Sequence, residues 1–190
     1  ELADYMLPRK AEITRKRTQG DKRTERIFDG TAIHAVELLA SSLHGMLTSP
    51  STPWFSMRYR DPALQGDDEA NEWLELAIDQ MYQAFNRSNF QTEVHELYYD
   101  LVVFGTAAMY VTGDKDGLQF SSRHIAEIYI SQNAKDQVDT VYRRFKLSAR
   151  AMEQQFGADA LPAQCIKDLK EETFKEHEII HVVFPRADAK

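Results

Sequence analysis

One pattern in the sequence is associated with catalysis, the run His177-Glu178-Ile179-Ile180-His181. On a helix, residues four apart lie roughly 5–6 Å apart, so both imidazoles can bind one zinc ion. The flanking residues are mostly Ile and Val, which favour a strand. On a strand the same spacing covers about 13 Å at roughly 3.3 Å per residue, which is too far for one metal ion. We therefore predict a strand at 177–184, and a zinc-dependent hydrolase that uses His177, Glu178 and His181 is kept only as an alternative.

Other catalytic patterns are missing from the sequence. It contains no Gly-x-Ser-x-Gly elbow, no glycine-rich phosphate loop and no dinucleotide-binding glycine motif. The single cysteine, Cys165, lies in a predicted amphipathic helix, where a buried side chain is the expected role. We predict that the chain is not an enzyme and that it has no catalytic residue, no metal site and no cofactor.

Charged residues are distributed unevenly along the chain. Residues 1–26 contain eight basic and five acidic side chains, although the whole chain carries a net charge of −7. Tight binding to DNA depends on Lys and Arg side chains that displace counterions from phosphates, so an acidic chain is not expected to bind DNA tightly. A nucleic-acid-binding module that uses the basic run, through Arg15-Lys16-Arg17 and Lys22-Arg23, remains a further alternative.

Hydrophobic periodicity predicts helices in the first half of the chain and mainly strands in the second. Three long helices are predicted at Thr24–Leu47, from Asp67 or Asp68 to about Asn86, and from Asn89 to Phe104. A short strand is predicted at 54–60, a β-hairpin between Thr106 and Ser121, further strands at 127–131, 138–146 and 177–184, and short helices from Ser148 to Phe156 and at 162–172. This order indicates the α+β class: long amphipathic helices followed by a small mixed or antiparallel sheet with short helices.

The domain organisation predicted from this pattern is a polar, basic N-terminal arm at 1–22 and one domain at 23–190. The sequence has no run of about 20 apolar residues and no charged-then-apolar leader, so we expect no membrane association. A lone cysteine is typical of a reducing compartment, which predicts synthesis in the cytoplasm. The chain begins at Glu1 without an initiator Met, from which we expect a fragment of a longer protein.

Three blocks of residues carry a resemblance to a known family. The first comprises FDGTA (28–32), LASSL (39–43), LT (47–48) and PWF (53–55); the second comprises Phe90, ELYYD (96–100) and LVVFGTA (101–107); the third is HVVFPR (181–186). In this order and spacing they resemble the head-to-tail connector, or portal, family of short-tailed bacteriophages. The resemblance covers most of residues 24–186.

The resemblance implies a structural subunit of a homo-oligomeric ring, usually of twelve copies, at one vertex of the capsid in the virion, made in the cytoplasm of a bacterial host. Such rings form the conduit for packaging and ejection of double-stranded DNA, which passes without tight binding. Their partners are terminase, tail and adaptor proteins, and capsid and scaffold proteins. The present chain is expected to supply mainly the wing, the outer part of the ring.

Charge asymmetry leads to one expectation about the contacts in such a ring. The predicted second helix places Glu72, Glu75 and Asp79 on one outer face, for which a solvated surface is the simplest explanation. We predict that these carboxylates belong to a subunit interface in which they meet the basic arm of a neighbouring copy. The arm residues of this predicted interface are Arg15, Lys16, Arg17 and Arg23.

Overall fold

The computed structural model describes residues 2–11, 13, 18, 20, 22, 24–25, 27–115 and 117–188. The helices are α1 (Leu2–Met6), α2 (Thr31–Leu47), α3 (Pro62–Gln65), α4 (Asp68–Arg87), α5 (Phe90–Phe104), α6 (Ala149–Phe156) and α7 (Ala163–Glu171). The strands are β1 (Ala108–Asp114), β2 (Gly117–Arg123), β3 (Ile128–Gln132), β4 (Val138–Ser148) and β5 (Glu176–Val183). Two antiparallel sheets and several helices confirm the α+β class.

The chain divides into two compact units, residues 1–126 and 127–190. In the first unit α5 packs against α2, α4 and β2. The buried core of this unit consists of Ala40, Phe90, Val94, Tyr98 and Phe120. Aromatic rings fill the space around it: Trp54 stacks on Phe90 with ring centroids 5.7 Å apart, and Phe85 lies 4.7 Å from Phe90. The apolar stripe predicted on α5 is therefore the centre of this unit.

The two ends of α5 follow from its sequence. Gly105 ends the helix with a positive φ of 72°, a conformation that glycine adopts without the steric cost of a Cβ atom. At the other end, the Asn89 side chain donates to the Phe120 carbonyl and accepts from the Phe120 amide, both at 2.8 Å. Glu93 accepts from the Ser122 amide at 2.6 Å. The side chains of Asn89 and Glu93 thus bind backbone groups of β2 that a third strand beside it would otherwise bind.

The second unit is a three-stranded sheet in the order β3-β4-β5 with two helices. Its buried core is Met152, Leu161 and Cys165, against which Leu147 and Ile179 pack. Ser148 caps α6 by accepting from the Ala151 amide, as the sequence predicts. The predicted buried position of Cys165 is confirmed.

Two elements differ from their prediction. The first long helix begins at Thr31 and not at Thr24. Just before it, Asp29 accepts hydrogen bonds from both the amide and the hydroxyl of Thr31, and such a local turn competes with an extension of the helix toward the N-terminus. Those two hydrogen bonds, the amide bond foremost, lower the pKa of the Asp29 carboxyl. The strand predicted at 54–60 is absent: residues 53–59 have no regular structure. Their backbone is bound by the Tyr82 side chain of α4 and by the Gln65 side chain instead of by another strand.

No helix among the described residues has the length and apolar character needed to cross a bilayer.

Candidate subunit interface

The outward side of α4 carries the first candidate surface. Asp67 caps this helix by accepting from the amides of Glu69 and Ala70, and the buried Leu74 lies on its inner side. Trp73 and Leu76, three residues apart and therefore neighbours on one face, point away from the core with 62% and 59% of their surface exposed. Large apolar side chains at such exposure form a patch that a partner can cover.

The predicted acidic residues lie beside this patch. Glu72, Glu75 and Asp79 are exposed on α4, and at 3.6 residues per turn their positions form a row along one flank of Trp73 and Leu76. Within the described part of the chain, none of the three forms an ion pair. The structure therefore presents an apolar pair with an acidic border.

A clamped segment before α3 carries the second surface. The Tyr82 hydroxyl accepts from the amides of Trp54 and Phe55, at 2.7 and 2.8 Å, and donates to the Phe55 carbonyl at 2.9 Å. Further along, the Tyr59 hydroxyl donates to the Ala70 carbonyl at 3.2 Å. These bonds fix both ends of residues 54–59 against α4.

Arg58 and Arg60 lie in and directly after the clamped segment and are exposed. The apolar side chains of Met57 and Leu64 nearby are also partly exposed. Neither arginine has a carboxylate partner within the described residues. The structure thus presents two exposed arginines two positions apart, one within the clamped segment and one directly after it.

The third surface is the outer side of α2. This 17-residue helix contains one carboxylate, Glu37, and no Lys or Arg. Val36 and Ala40 are buried on its inner side, whereas Leu38, Leu39 and Met46 are exposed on the other, Met46 to 81%. A helix that is apolar on both sides is typical of one that is covered on both sides in its assembled state.

A buried ion pair holds the N-terminal segment, and the sequence analysis did not foresee it. Lys10 Nζ lies 2.7 Å from both oxygens of Asp100, which is only 1% exposed. Arg9 binds Glu96 at 2.8 Å and stacks over the ring of Tyr99 at 5.2 Å. Burial, followed by the charge of Glu37, raises the pKa of the Tyr99 hydroxyl. The sequence signal available was the basic pair Arg9-Lys10 together with acids four apart on α5.

The histidines of the zinc-like pattern lie on β5, as predicted. His177 and His181 are four residues apart on a strand that pairs with β4, not on one helix face. His177 Nε2 lies 3.2 Å from the buried carboxylate of Asp168. No group of three His, Cys, Asp or Glu side chains among the described residues could hold a metal ion. The zinc hypothesis therefore has no geometric basis in the described structure.

Asp168 is held by three side chains of the second unit. Burial opposes its charge, but hydrogen bonds from Lys175 and Gln164 and the charges of Lys175 and His177 outweigh that effect and lower the pKa of the Asp168 carboxyl. The hydrogen bond to Asp168 correspondingly raises the pKa of Lys175. This cluster accounts for His177 as a structural residue.

The other half of the predicted interface lies outside the described residues. Arg15, Lys16, Arg17 and Arg23 belong to the part of the chain for which the structure gives no description. Their proposed contact with the acidic face of a neighbouring copy stays a prediction, as does the division at residue 22. The described structure adds Trp73, Leu76 and the outer side of α2; the apolar pattern of α4 predicts that Trp73 is buried, and the structure shows that prediction to be wrong.

Comparison with known proteins covers the entire chain. Residues 1–190 match the family model described as bacteriophage head to tail connecting protein. A probable portal protein of Bordetella phage BPP-1 is 31% identical over 192 residues, which cover 99% of this chain and 34% of that protein. A portal protein of Salmonella phage epsilon15 is 32% identical over 161 residues, which cover 84% of this chain and 29% of that protein. The chain thus spans about a third of the length of the curated relatives it matches.

Proposed function

Because this chain belongs to the bacteriophage head to tail connecting protein family, we propose that it supplies part of a portal subunit, one of many copies that form a ring at a capsid vertex. In this proposal the ring is the passage for double-stranded DNA during packaging and ejection. The match to the family model along residues 1–190 is the observation that carries the proposal.

A structural role agrees with the chemistry of the described residues. The zinc-like pattern, His177 to His181, lies on a strand, where its two histidines do not share one helix face. His177 contacts Asp168. The free cysteine is buried in the core of the second unit. What the described surface offers is apolar side chains on the outer sides of α2 and α4. Such faces are suited to contacts between proteins.

Charge supports a passage for DNA that does not bind DNA tightly. The chain has a net charge of −7. A negatively charged wall repels phosphates, whereas tight binding needs several Lys or Arg contacts. We place the acidic face of α4 at a contact between subunits or toward solvent.

The partners of the whole ring follow from the family. We propose that the complete subunit contacts terminase, the tail or an adaptor, and capsid and scaffold proteins, and that the ring has twelve copies in the virion. Contact of Arg15, Lys16, Arg17 and Arg23 with an acidic surface of a neighbouring copy remains a prediction from charge alone.

Negative-stain electron microscopy of the full-length protein after size-exclusion chromatography tests the proposal. Ring particles with a central channel about as wide as a DNA duplex are the expected result. A single small monodisperse species at all protein concentrations would contradict it.

A further inference from the structure

An exposed indole dominates the outer face of α4. Trp73 is 62% exposed and Leu76 beside it is 59% exposed. Tryptophan is the residue type most often found at the energetic centre of a protein interface, in places that become fully buried on binding. Other parts of α4 are well used inside the unit: Tyr82 and Phe85 contact Trp54 and Phe55. Trp73 and Leu76 therefore form an exposed apolar face on a helix whose C-terminal part packs on Trp54 and Phe55.

The chemistry around this face selects a cationic, planar partner. Glu72, Glu75 and Asp79 border it on one flank and have no ion-pair partner among the described residues. A guanidinium group can pair with carboxylates through its fixed fork of N–H donors and also lie flat on an indole ring. An ammonium group can pair with carboxylates, but it is not planar and cannot lie flat on the indole ring. The surface is thus suited to arginine.

The same unit contains a matching pair of arginines. Arg58 and Arg60 are exposed and two residues apart, and the bonds made by Tyr82 and Tyr59 fix the backbone that carries them. The other described cations of this unit without an ion pair are Lys22, Arg87 at the end of α4 itself and Lys115 in the hairpin, and among these only Arg87 and Lys115 are shown to line a common pocket. Among the described residues of this unit without an ion pair, Arg58 and Arg60 are the two arginines that are close in sequence, and the apolar side chains of Met57 and Leu64 beside them are partly exposed.

We propose that the occupant of the α4 face is a second copy of this chain, which inserts Arg58 and Arg60 against Trp73 and the carboxylates of Glu72, Glu75 and Asp79. The inference rests on the proposed function, because a ring is built from head-to-tail contacts between two different patches of each subunit. The two patches have opposite charge, both face outward, and they do not pair with each other within one chain. Each subunit would give its arginines to one neighbour and its α4 face to the other.

Two charge-reversed variants of the full-length protein test this contact. E72K/E75K/D79K places lysines opposite the arginines, and R58E/R60E places glutamates opposite the acidic face, so each variant by itself repels its own copies. In an equimolar mixture every contact is again between opposite charges: native arginines meet native acids, and the new glutamates meet the new lysines. The expected result is that neither variant forms rings alone and that the mixture does, as seen by sedimentation and electron microscopy.

The outcomes separate this contact from the proposed function. Circular dichroism first establishes that both variants are folded. If the wild type forms rings but the mixture does not, or if either variant assembles alone, the contact is overturned and the proposed function stands. If the wild type forms no particle, both fall. Reversal of the basic arm in R15E/R17E serves as the comparison: loss of rings there, with normal rings from R58E/R60E, would assign the acidic face to the arm.

A conservative pair of substitutions examines the stacking on Trp73. R58K/R60K keeps both charges but removes the planar guanidinium groups, so we expect assembly to require about tenfold higher protein concentration. Assembly identical to wild type would show that charge alone makes the contact and would overturn the role of the indole.

Discussion

At the residue scale, Asp100 shows how far a single side chain can depend on a distant part of the sequence. Its carboxylate is almost completely buried in α5 and is bound by Lys10, which is 90 positions earlier in the chain. Ser122 contributes a longer hydrogen bond of 3.4 Å. A buried carboxylate is costly unless it is paired, so this contact ties the N-terminal segment to the core of the first unit.

Replacement of Asp100 by Asn is expected to lower the free energy of unfolding by about 3 kcal/mol, because Lys10 then keeps its charge in a largely buried position without its main counterion. Urea unfolding monitored by tryptophan fluorescence measures this, since Trp54 packs on the same core. Arg9→Gln is the matched control: the Arg9–Glu96 pair is more exposed and should contribute about 1 kcal/mol or less, and its removal leaves Lys10 with both Asp100 and Glu96. Equal losses in the two variants would show that Asp100 has no special role.

At the scale of elements, the backbone of residues 54–59 is hydrogen-bonded by a side chain where a strand would be bonded by a neighbouring strand. Its aromatic alternation is typical of a strand, yet the amides of Trp54 and Phe55 bind the hydroxyl of Tyr82. Stacking of Phe55 on the Tyr82 ring, with centroids 4.5 Å apart, adds an apolar contact to the polar ones. One tyrosine on α4 therefore fixes a segment that has no partner strand.

Substitution of Tyr82 by Phe keeps the stacked ring and removes the hydroxyl, which leaves two amides and one carbonyl without their partner. We expect a loss of about 2 kcal/mol in the free energy of unfolding, as for unsatisfied polar groups in a partly buried site. Thermal and urea denaturation provide the measurement. Tyr59→Phe, which removes a single bond to Ala70, should cost clearly less. A Tyr82→Phe protein as stable as wild type would mean that water replaces the hydroxyl without penalty.

At the scale of the whole molecule, the main electrostatic feature of this chain is its excess of negative charge. The net charge of −7 includes eight basic residues within positions 1–26, so the rest of the chain is considerably more acidic than the total indicates. Long-range repulsion of this kind is screened over roughly 10 Å in 0.1 M salt, and it acts on approach to the surface more than on bound states.

We expect the wild-type protein to bind a short DNA duplex at 0.15 M salt with a dissociation constant above about 10⁻⁴ M. This value is the weak end of the range typical of non-specific DNA binding. Fluorescence anisotropy of a labelled duplex measures the affinity. The variant E72K/E75K/D79K should bind more tightly and lose affinity as salt is raised, because it gains phosphate contacts. Tight, salt-dependent binding by wild type would instead favour the nucleic-acid-binding hypothesis for Arg15, Lys16 and Arg17, and reversal of those charges would then test it.

The sequence by itself determined the fold class, the cap at Ser148 and the strand at His177. These features follow from local rules: hydrophobic period, β-branched residues and capping side chains act within a few positions of one another. The same local rules place Glu72, Glu75 and Asp79 on one outer face of a helix, and the structure shows all three exposed there. The family resemblance, based on blocks of residues in order, was likewise available from the sequence.

Only the tertiary structure decided which apolar residues remain outside. Trp73 and Met46 belong to apolar patterns on their helices, and a pattern does not tell whether a second layer covers them. The pairing of Lys10 with Asp100 and the clamp made by Tyr82 join residues 27 to 90 positions apart, and no local rule connects positions at such separations. The physical reason is that burial depends on which elements are adjacent in space, so the surfaces open to a partner are known only once the chain is packed.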